Sequence, residues 1–381
     1  MSRAYLFVSG RVFVVARMFA LALVAALAGC APVARLPELD AKAIAAEQRS
    51  EQIAQMRSYY AAVHRIDNVA FRLRVANRSF CKDRVAAQIG LTAVTPRSLP
   101  RRFQSFAAEA LELTWMRPTV ISVSDGSPAA QAGIRDHDEV IALNGELIPL
   151  TGTARWMGRW LKANGTKPVR VDLRGDGVDR TVSVTPVIAC AIPLQYVVDE
   201  TVNAYTTDDR IVIYSGVAAL AKTDAQLALV IGHELAHSNL GHLDKKRFNM
   251  AAGFAGGLVL DAAIMTGGIP TGGVFSREFM KGGARAFSVA FEREADYVGA
   301  YYAARAGYDL AGTEELWRVM GQGDPNSLRF ARTHPLAPVR FLQMRAVAAE
   351  IADKERRHLP LVPEIKTYTV EASPASDAPT Q

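Results

Sequence analysis

Two histidines stand four residues apart with a glutamate between them, in His233-Glu234-Leu235-Ala236-His237. On a helix, residues four apart share a face. Both imidazoles can therefore close on one Zn²⁺ while Glu234 stands beside a fourth, water-bearing position. Those residue types at that spacing suit metal-assisted hydrolysis of a peptide bond, with Glu234 as general base. The stretch is short enough to arise by chance in about one chain in a hundred of this size, so its surroundings must carry the assignment.

Asp224 to Leu240 is predicted to be an amphipathic helix. Leu227, Leu229, Val230, Leu235 and Leu240 give it an apolar face, Thr223 or Asp224 offers the N-cap, and Gly241 offers the stop. A third protein ligand is expected from a second helical pattern, Phe291-Glu292-Arg293-Glu294-Ala295-Asp296. Glu292 and Asp296 share a face there, whereas Glu294 is turned by about 200° from Glu292. Glu292 is accordingly assigned to the metal, Asp296 to fixing a ligand imidazole's tautomer, and Glu294 to neither. His242 lies five residues beyond His237, off the ligand face, and is expected beside the site or on the surface.

Around these helices the chain changes character several times. Arg3, Arg11 and Arg17 precede an apolar run from Met18 to Ala28, the layout of a secretory signal and too short for a confident membrane span. The run ends in Leu27-Ala28-Gly29-Cys30, which resembles a bacterial lipobox. That resemblance implies a signal over residues 1–29, a lipidated Cys30 and, with Ala31 following, an outer-membrane anchor facing the periplasm. Residues 30–76 carry apolar side chains at helical spacing (Ile44, Ile53, Met56, Tyr60, Val63, Ile66, then Phe71 and Leu73), so a long packed helix is expected.

Residues 77–190 read as short strands broken by Gly, Pro and Asp, among them Val120–Val123, Val140–Leu143 and Val169–Leu173. Ser127-Pro128-Ala129-Ala130-Gln131-Ala132-Gly133-Ile134, followed by a strand from Asp138 to an Asn144-Gly145 turn, closely resembles the core of a bacterial PDZ domain. The resemblance implies a groove for an extended peptide or free C-terminus. Its carboxylate loop would lie at Gln88-Ile89-Gly90-Leu91, with residues 96–118 inserted. Cys81 and Cys190 match no metal-ligand spacing, and in an oxidising compartment they can pair.

Strands are expected at Val202–Tyr205 and Arg210–Gly216, as an edge beside the cleft or as interior strands. Residues 250–283 are rich in Gly and Ala, with an apolar part interrupted by Asp261. They are expected to form a small-residue helical hairpin or lid, with a membrane-dipping role open for an anchored protein. Helical patterns follow near Leu310–Met320 and Pro335–Arg357, and residues 358–381 turn Pro-, Ser- and Thr-rich, a disordered tail.

Composition excludes some classes. The formal charge of +6 falls to +3 once the three leader arginines are discounted, and no dense basic stripe appears, so nucleic acid is rejected as a partner. A serine or cysteine hydrolase is disfavoured because no Gly-x-Ser-x-Gly element occurs.

His233-Glu234-x-x-His237, Glu292-x-x-x-Asp296 and His334-Pro335 followed by Arg340 together resemble the zinc metallopeptidases that include the CAAX prenyl protease, HtpX, BepA and Oma types. The resemblance covers about residues 192–357. It implies one zinc per chain on His233, His237 and Glu292, with Glu234 as base. His334 would stabilise the oxyanion or occupy the metal's open position in a latent state, and Arg340 would hold the motif. The several membrane-spanning helices of the prenyl protease and HtpX branches are missing, which favours the soluble lipoprotein branch.

The expected fold is α+β: an N-terminal helix, a PDZ-like β-rich domain, and a mostly helical gluzincin-type domain over residues 191–357. The expected activity is endoproteolysis of misfolded or misassembled envelope polypeptides. The rival expectation is a binding or chaperone-like protein whose zinc domain is latent.

Overall fold

The computed structural model describes residues 37–99, 101–286, 288–321, 334 and 338–364. The leader with Cys30, residue Pro335 and the 365–381 tail lie outside them. The chain divides into a short unit ending at Glu51 and a body from Gln52 onward.

Helix α1 (Ala41–Ala76) runs out of the first unit into the second. Its first turns are exposed, including Ile44 at 41%, so the packed face begins only at Ile53, later than the apolar spacing implied. From there Met56, Ile66, Val69, Ala70, Phe71 and Leu73 are buried in turn. The second half of α1 is a strut between two parts of the body. Asp67 accepts a 2.7 Å hydrogen bond from the Thr92 hydroxyl, and Asn68 exchanges two with Asp125, all toward the β-rich region. Arg65 donates to the carbonyls of Ala218 and Ala221 and to Asp224 on the helical side.

The β-rich region follows. Strands β1 (Val85–Gln88), β2 (Leu91–Val94), β3 (Thr119–Val123), β4 (Glu139–Leu143), β5 (Glu146–Leu147), β6 (Val169–Gly175), β7 (Val178–Val184) and β8 (Val187–Cys190) alternate with small helices. The latter are α2 (Arg101–Gln104), α3 (Ala107–Leu111), α4 (Pro128–Gln131) and α5 (Thr153–Asn164). The main sheet runs β2-β3-β4-β6-β7 with β5 hairpinned onto β4. Asn144 and Gly145, both at positive φ, make that hairpin turn, as an Asn-Gly pair does at least cost.

Ser127 caps α4 by accepting from the Ala130 N–H, with Pro128 at the first helical position. Residues between Pro96 and Pro118 are not a free insertion, because Leu99, Phe106, Ala107, Ala110 and Leu111 form a small core with Ile53 and Met56 of α1. Entry and exit of the region meet at a neck, where β1 pairs with β8 and Cys81 is bonded to Cys190.

Beyond the neck come β9 (Leu194–Val197), β10 (Ala204–Thr206) and β11 (Ile211–Tyr214), a three-stranded sheet in the order β10-β11-β9. β10 is thus an edge strand. Helices α6 (Ser215–Leu220), α7 (Asp224–Asn239), α8 (His242–Thr266), α9 (Val274–Arg285), α10 (Ser288–Arg305), α11 (Glu314–Gly321) and α12 (Pro338–Arg356) complete the body. Its main core joins α7, α10, α11 and α12 to the sheet and to Ile66, Val69 and Leu73 of α1.

Helices α7 and α10 cross with backbones almost touching. A Cβ added at Gly232 would meet the Gly299 carbonyl oxygen at 2.6 Å, and one at Gly299 would meet the His233 nitrogen at 2.6 Å. Glycine at both positions permits this approach. The C-terminal boundary also differs from the expected tail at residue 358. Leu361 packs on the core, Arg305 donates to its carbonyl, and the Glu364 N–H donates to the Tyr297 hydroxyl. The apolar contact holds this stretch down despite its proline content.

Candidate metal centre

Helix α7 carries the first three functional side chains. Thr223 caps its start by accepting from the Gln226 N–H, and Arg84 from the neck caps its end, donating to the Ser238 carbonyl at 2.7 Å and hydroxyl at 2.8 Å. A cation on the last turn also complements the helix dipole. His233 and Glu234 are buried, and His237 is close behind at 14% side-chain exposure. The Gly232–Gly299 crossing brings α10 against this face, so Glu292 and Asp296 arrive one turn apart beside the histidines. The donor atoms of His233, His237, Glu292 and His334 all lie within 4.8 Å of one another.

Their hydrogen-bond partners determine which lone pairs face inward. Glu294 can only accept, so at 2.9 Å the His242 Nε2 donates to it. His242 Nδ1 must then accept from His237 Nδ1, also at 2.9 Å, and His237 Nε2 presents a lone pair to the cluster. His334 Nε2 donates to the Ala204 carbonyl at 3.0 Å, and its Nδ1 faces inward, 2.9 Å from the Glu292 carboxylate. His233 Nδ1 lies 2.9 Å from Asp296 Oδ1 in an ion-pair contact off the hydrogen-bonding direction, which turns its Nε2 inward too.

The inward atoms are separated by 3.0 Å (His237–His233), 3.2 Å (His233–His334), 2.9 Å (His334–Glu292) and 3.4 Å (Glu292 to His233 and to His237). Lone pairs at such distances repel unless a proton or cation sits among them. Donors bound to one zinc at about 2.0–2.1 Å in a tetrahedron are about 3.3 Å apart, so the residues fit that ion. His334 stands at the fourth corner.

Electrostatics agree. Burial opposes a charge on His233, but Asp296 and Glu292 outweigh it and raise its pKa to about 9. A proton can thus take the cation's place. At His237 burial prevails and lowers the pKa to about 4, which keeps the imidazole neutral. Burial would raise Glu292, yet His334, His233 and His237 together hold it far below the usual carboxylate range. Asp296 is likewise kept ionised against its burial, chiefly by Arg340, which donates to it twice at 2.7 Å. Arg340 therefore braces Asp296, and Glu292 at 3.3 Å. The Trp317 indole N–H adds a 3.2 Å bond to Asp296.

Glu234 is fully buried. Its Oε2 accepts from the Thr206 hydroxyl at 2.8 Å, while Oε1 has no hydrogen bond and lies 3.3 Å from His334 Nε2. A cleft of about 620 Å³ opens over the cluster, bordered by Tyr205 and Thr206 of β10, His242, Arg247, Arg285 and Phe291.

Spacing alone missed Thr206, Trp317 and the Glu294–His242 relay. His242, expected beside the site or on the surface, stands beside it: Gly241 takes φ +65° and a new helix starts at His242, which brings the ring under His237. A glycine followed by a histidine just after the motif was the available signal.

The β-rich region holds the other candidate residues. Ile89 is buried in that region's core, its carbonyl accepts from the Ala129 N–H, and it borders the same cavity as Gly90 and Leu91. Gly90 takes φ +76° with Ser127 pressed against it, so no side chain fits there. Leu91 opens β2 and lines a cavity of about 810 Å³ between β2, α5 and Tyr59 and Tyr60 of α1.

Residues 189–348 match Peptidase family M48. The mitochondrial metalloendopeptidase OMA1 of Schizosaccharomyces pombe is 25% identical over 167 residues, 42% of this chain and 48% of the relative. The chain therefore spans about half the length of this curated relative. Among solved structures, an HtrA-type protease AlgW with a decapeptide is 16% identical, covering 27% of this chain and 30% of that one at a TM-score of 0.22. The HtrA3 PDZ domain bound to a phage-derived ligand is 20% identical, covering 27% of this chain and 88% of that one at a TM-score of 0.21.

Proposed function

We propose, from the match of residues 189–348 to Peptidase family M48 and the likeness to the OMA1 metalloendopeptidase, that the protein is a zinc-dependent endopeptidase of the Oma and HtpX type in the bacterial envelope. The observation that carries the reading is the convergence of three imidazole nitrogens and the Glu292 carboxylate, with the unbonded Glu234 Oε1 beside them.

His233, His237 and Glu292 would hold zinc, which would lower the pKa of water there to about 7 and polarise a scissile carbonyl. Glu234 Oε1 takes the proton of the attacking water and returns it to the leaving amine, a role worth about 10²–10⁴ in rate. Thr206 fixes the carboxylate by its other oxygen. Edge strand β10 offers main-chain groups to an extended substrate. The order of elements in residues 77–190, with the glycine loop before β2 and helix α5 across from it, supports a PDZ-like domain that receives polypeptide ends in the 810 Å³ cavity. The lipobox-like Leu27–Cys30 supports a periplasmic lipoprotein, and misfolded envelope proteins are the substrates suited to such a placement.

His334 at the fourth corner favours a second reading, in which the site is latent and the protein acts by holding clients. Digestion of a reduced, unfolded casein separates the two, using wild type, Glu234→Gln and His334→Ala with zinc content measured throughout. We expect about one zinc per chain in all three, cleavage by wild type or at least by His334→Ala, and loss of cleavage by about a thousandfold in Glu234→Gln. Zinc bound with no cleavage by any form would leave only the holding role.

A further inference from the structure

Helices α8 and α9 form an antiparallel hairpin that packs chiefly on itself. Its two backbones close through glycines, for a Cβ at Gly253, Gly257 or Gly283 would lie within 2.4 Å of the facing carbonyls of Phe279, Phe275 and Asn249. Little of its apolar surface is used in doing so. Phe254, Leu258, Val259 and Met265 on α8, Ile269 in the turn, and Val274 and Phe279 on α9 are 43–71% exposed. α8 is long and apolar enough to cross a membrane, with only 11% of that stretch buried.

Charge is distributed with equal bias. From Asn249 to Ser276 the sole ionisable side chain is Asp261. It is turned inward, 5% exposed, and its two oxygens accept the N–H groups of Phe275 and Ser276 at 3.3 and 2.8 Å. Those are orphan donors of the first turn of α9, where the helix dipole favours an anion. The outer part of the hairpin therefore shows no charge at all. At its base stand Lys245, Lys246, Arg247, Arg277, Lys281 and Arg285, against Asp244, Asp208 and Glu278, with Arg247 paired to Asp208 and Asp244 and Lys281 to Glu278, so the cations remain in excess.

An uncharged apolar tip above a basic collar is the pattern that suits an anionic lipid surface. On α8 Phe254, Leu258 and Met265 lie within about 40° of one another around the axis and Val259 about 100° further round, so the exposed apolar surface is broader than a single narrow stripe. Dimensions limit the depth. Beyond Gly257, level with Phe275, α8 continues to Thr266, about 14 Å at 1.5 Å per residue, under half of the roughly 30 Å hydrocarbon thickness.

We propose that the α8–α9 hairpin dips into one leaflet of an anionic bilayer, with its tip among the acyl chains and its basic collar at the headgroups. Arg247 and Arg285 of that collar also border the cleft. Insertion would set the cleft against the membrane surface, where it takes polypeptide at the bilayer. The inference does not depend on whether the cleft is catalytic.

The test uses the full chain with Cys30→Ala, in which a single introduced thiol carries an environment-sensitive fluorophore, at Val259→Cys or, as control, at the exposed Val178 of β7 (V178C). Vesicles are phosphatidylethanolamine with one quarter phosphatidylglycerol, or phosphatidylcholine alone, each with and without brominated acyl chains as quenchers. Attachment through the N-terminal apolar run would tether both forms alike, so the contrast between labels carries the result.

We expect a blue shift and bromine quenching at position 259 but not at 178. The effect should be stronger on the anionic vesicles, weakened by salt, and lost by at least about tenfold in Leu258→Asp with Ile269→Asp. Both substituted positions are exposed, and unchanged zinc content would show the fold intact. An unshifted label at 259 on vesicles that retain the protein would overturn the proposal. So would a shift without vesicles that grows with protein concentration, which would assign the face to a second copy, or one that appears only with unfolded polypeptide, which would assign it to clients.

Discussion

Two helix pairs in this protein close by the same device and end in opposite surroundings. α7 and α10 touch backbones at Gly232 and Gly299, and α8 and α9 do so at Gly253, Gly257 and Gly283. The first crossing lies in the core, where the side chains flanking it are charged and mutually compensated, from Asp296 at 0% exposure to Arg340 at 1%. The second projects from the body with its one charge tucked between the helices and its apolar side chains outward. Glycine permits close approach in either case; what the approach accomplishes depends on which residues stand a turn away.

The comparison breaks most severely at the buried charges. Arg340→Leu leaves Asp296 ionised and short of its strongest partner, and we expect a loss of about 3–5 kcal/mol in urea unfolding. A loss under about 1 kcal/mol would mean that His233 and Trp317 alone balance the carboxylate.

Next come the glycines. Gly299→Ala forces a methyl group against the His233 backbone, at a cost of about 1–3 kcal/mol from overpacking, and should weaken zinc binding measured by chelator competition, because Glu292 and Asp296 move with α10. Gly257→Ala creates as tight a clash, but the hairpin can splay into solvent, so zinc affinity should hold within about twofold, within the usual scatter of effects at a distance. Equal zinc loss in both variants would show that the hairpin and the site are one mechanical unit.

Smaller still is His242→Ala, which removes the group that orients His237. It should lower zinc affinity by about 10- to 100-fold with unfolding little changed. Glu294→Gln should follow in the same direction and by less, since a neutral side chain can still accept from His242 Nε2. A loss of stability without a loss of zinc would make the relay a packing feature only.

Legibility from the sequence varied with distance along the chain. His233 and His237 were readable because four residues on one helix determine their geometry, and Glu292 with Asp296 for the same reason on another. Thr223 as a cap, the Asn144-Gly145 turn and the strands of residues 77–190 were equally local. The neck joining Cys81 to Cys190 could be suspected from their number, but their approach depends on β1 pairing with β8. His242, expected beside the site or on the surface, stands beside it, and its contact with His237 depends on Gly241 at positive φ starting a new helix there. Leu361 falls in the expected tail because its local composition is disordered-like while its contact is 56 residues away, on α10.

What the sequence determined by itself is the chemistry of each element: which helix offers nitrogen, which offers carboxylate, which long apolar stretch lacks charge. Periodicity encodes a face, and a face is a local property. Only the tertiary structure decided that the faces meet, through the Gly232–Gly299 contact. It also decided that Thr206, Trp317 and His242 complete the site, that His334 stands at the fourth corner, and that Asp261 is turned inward so that the hairpin shows no charge. Each of these depends on separations between distant segments, and such separations are set by packing, where a single missing Cβ changes how closely two helices can lie.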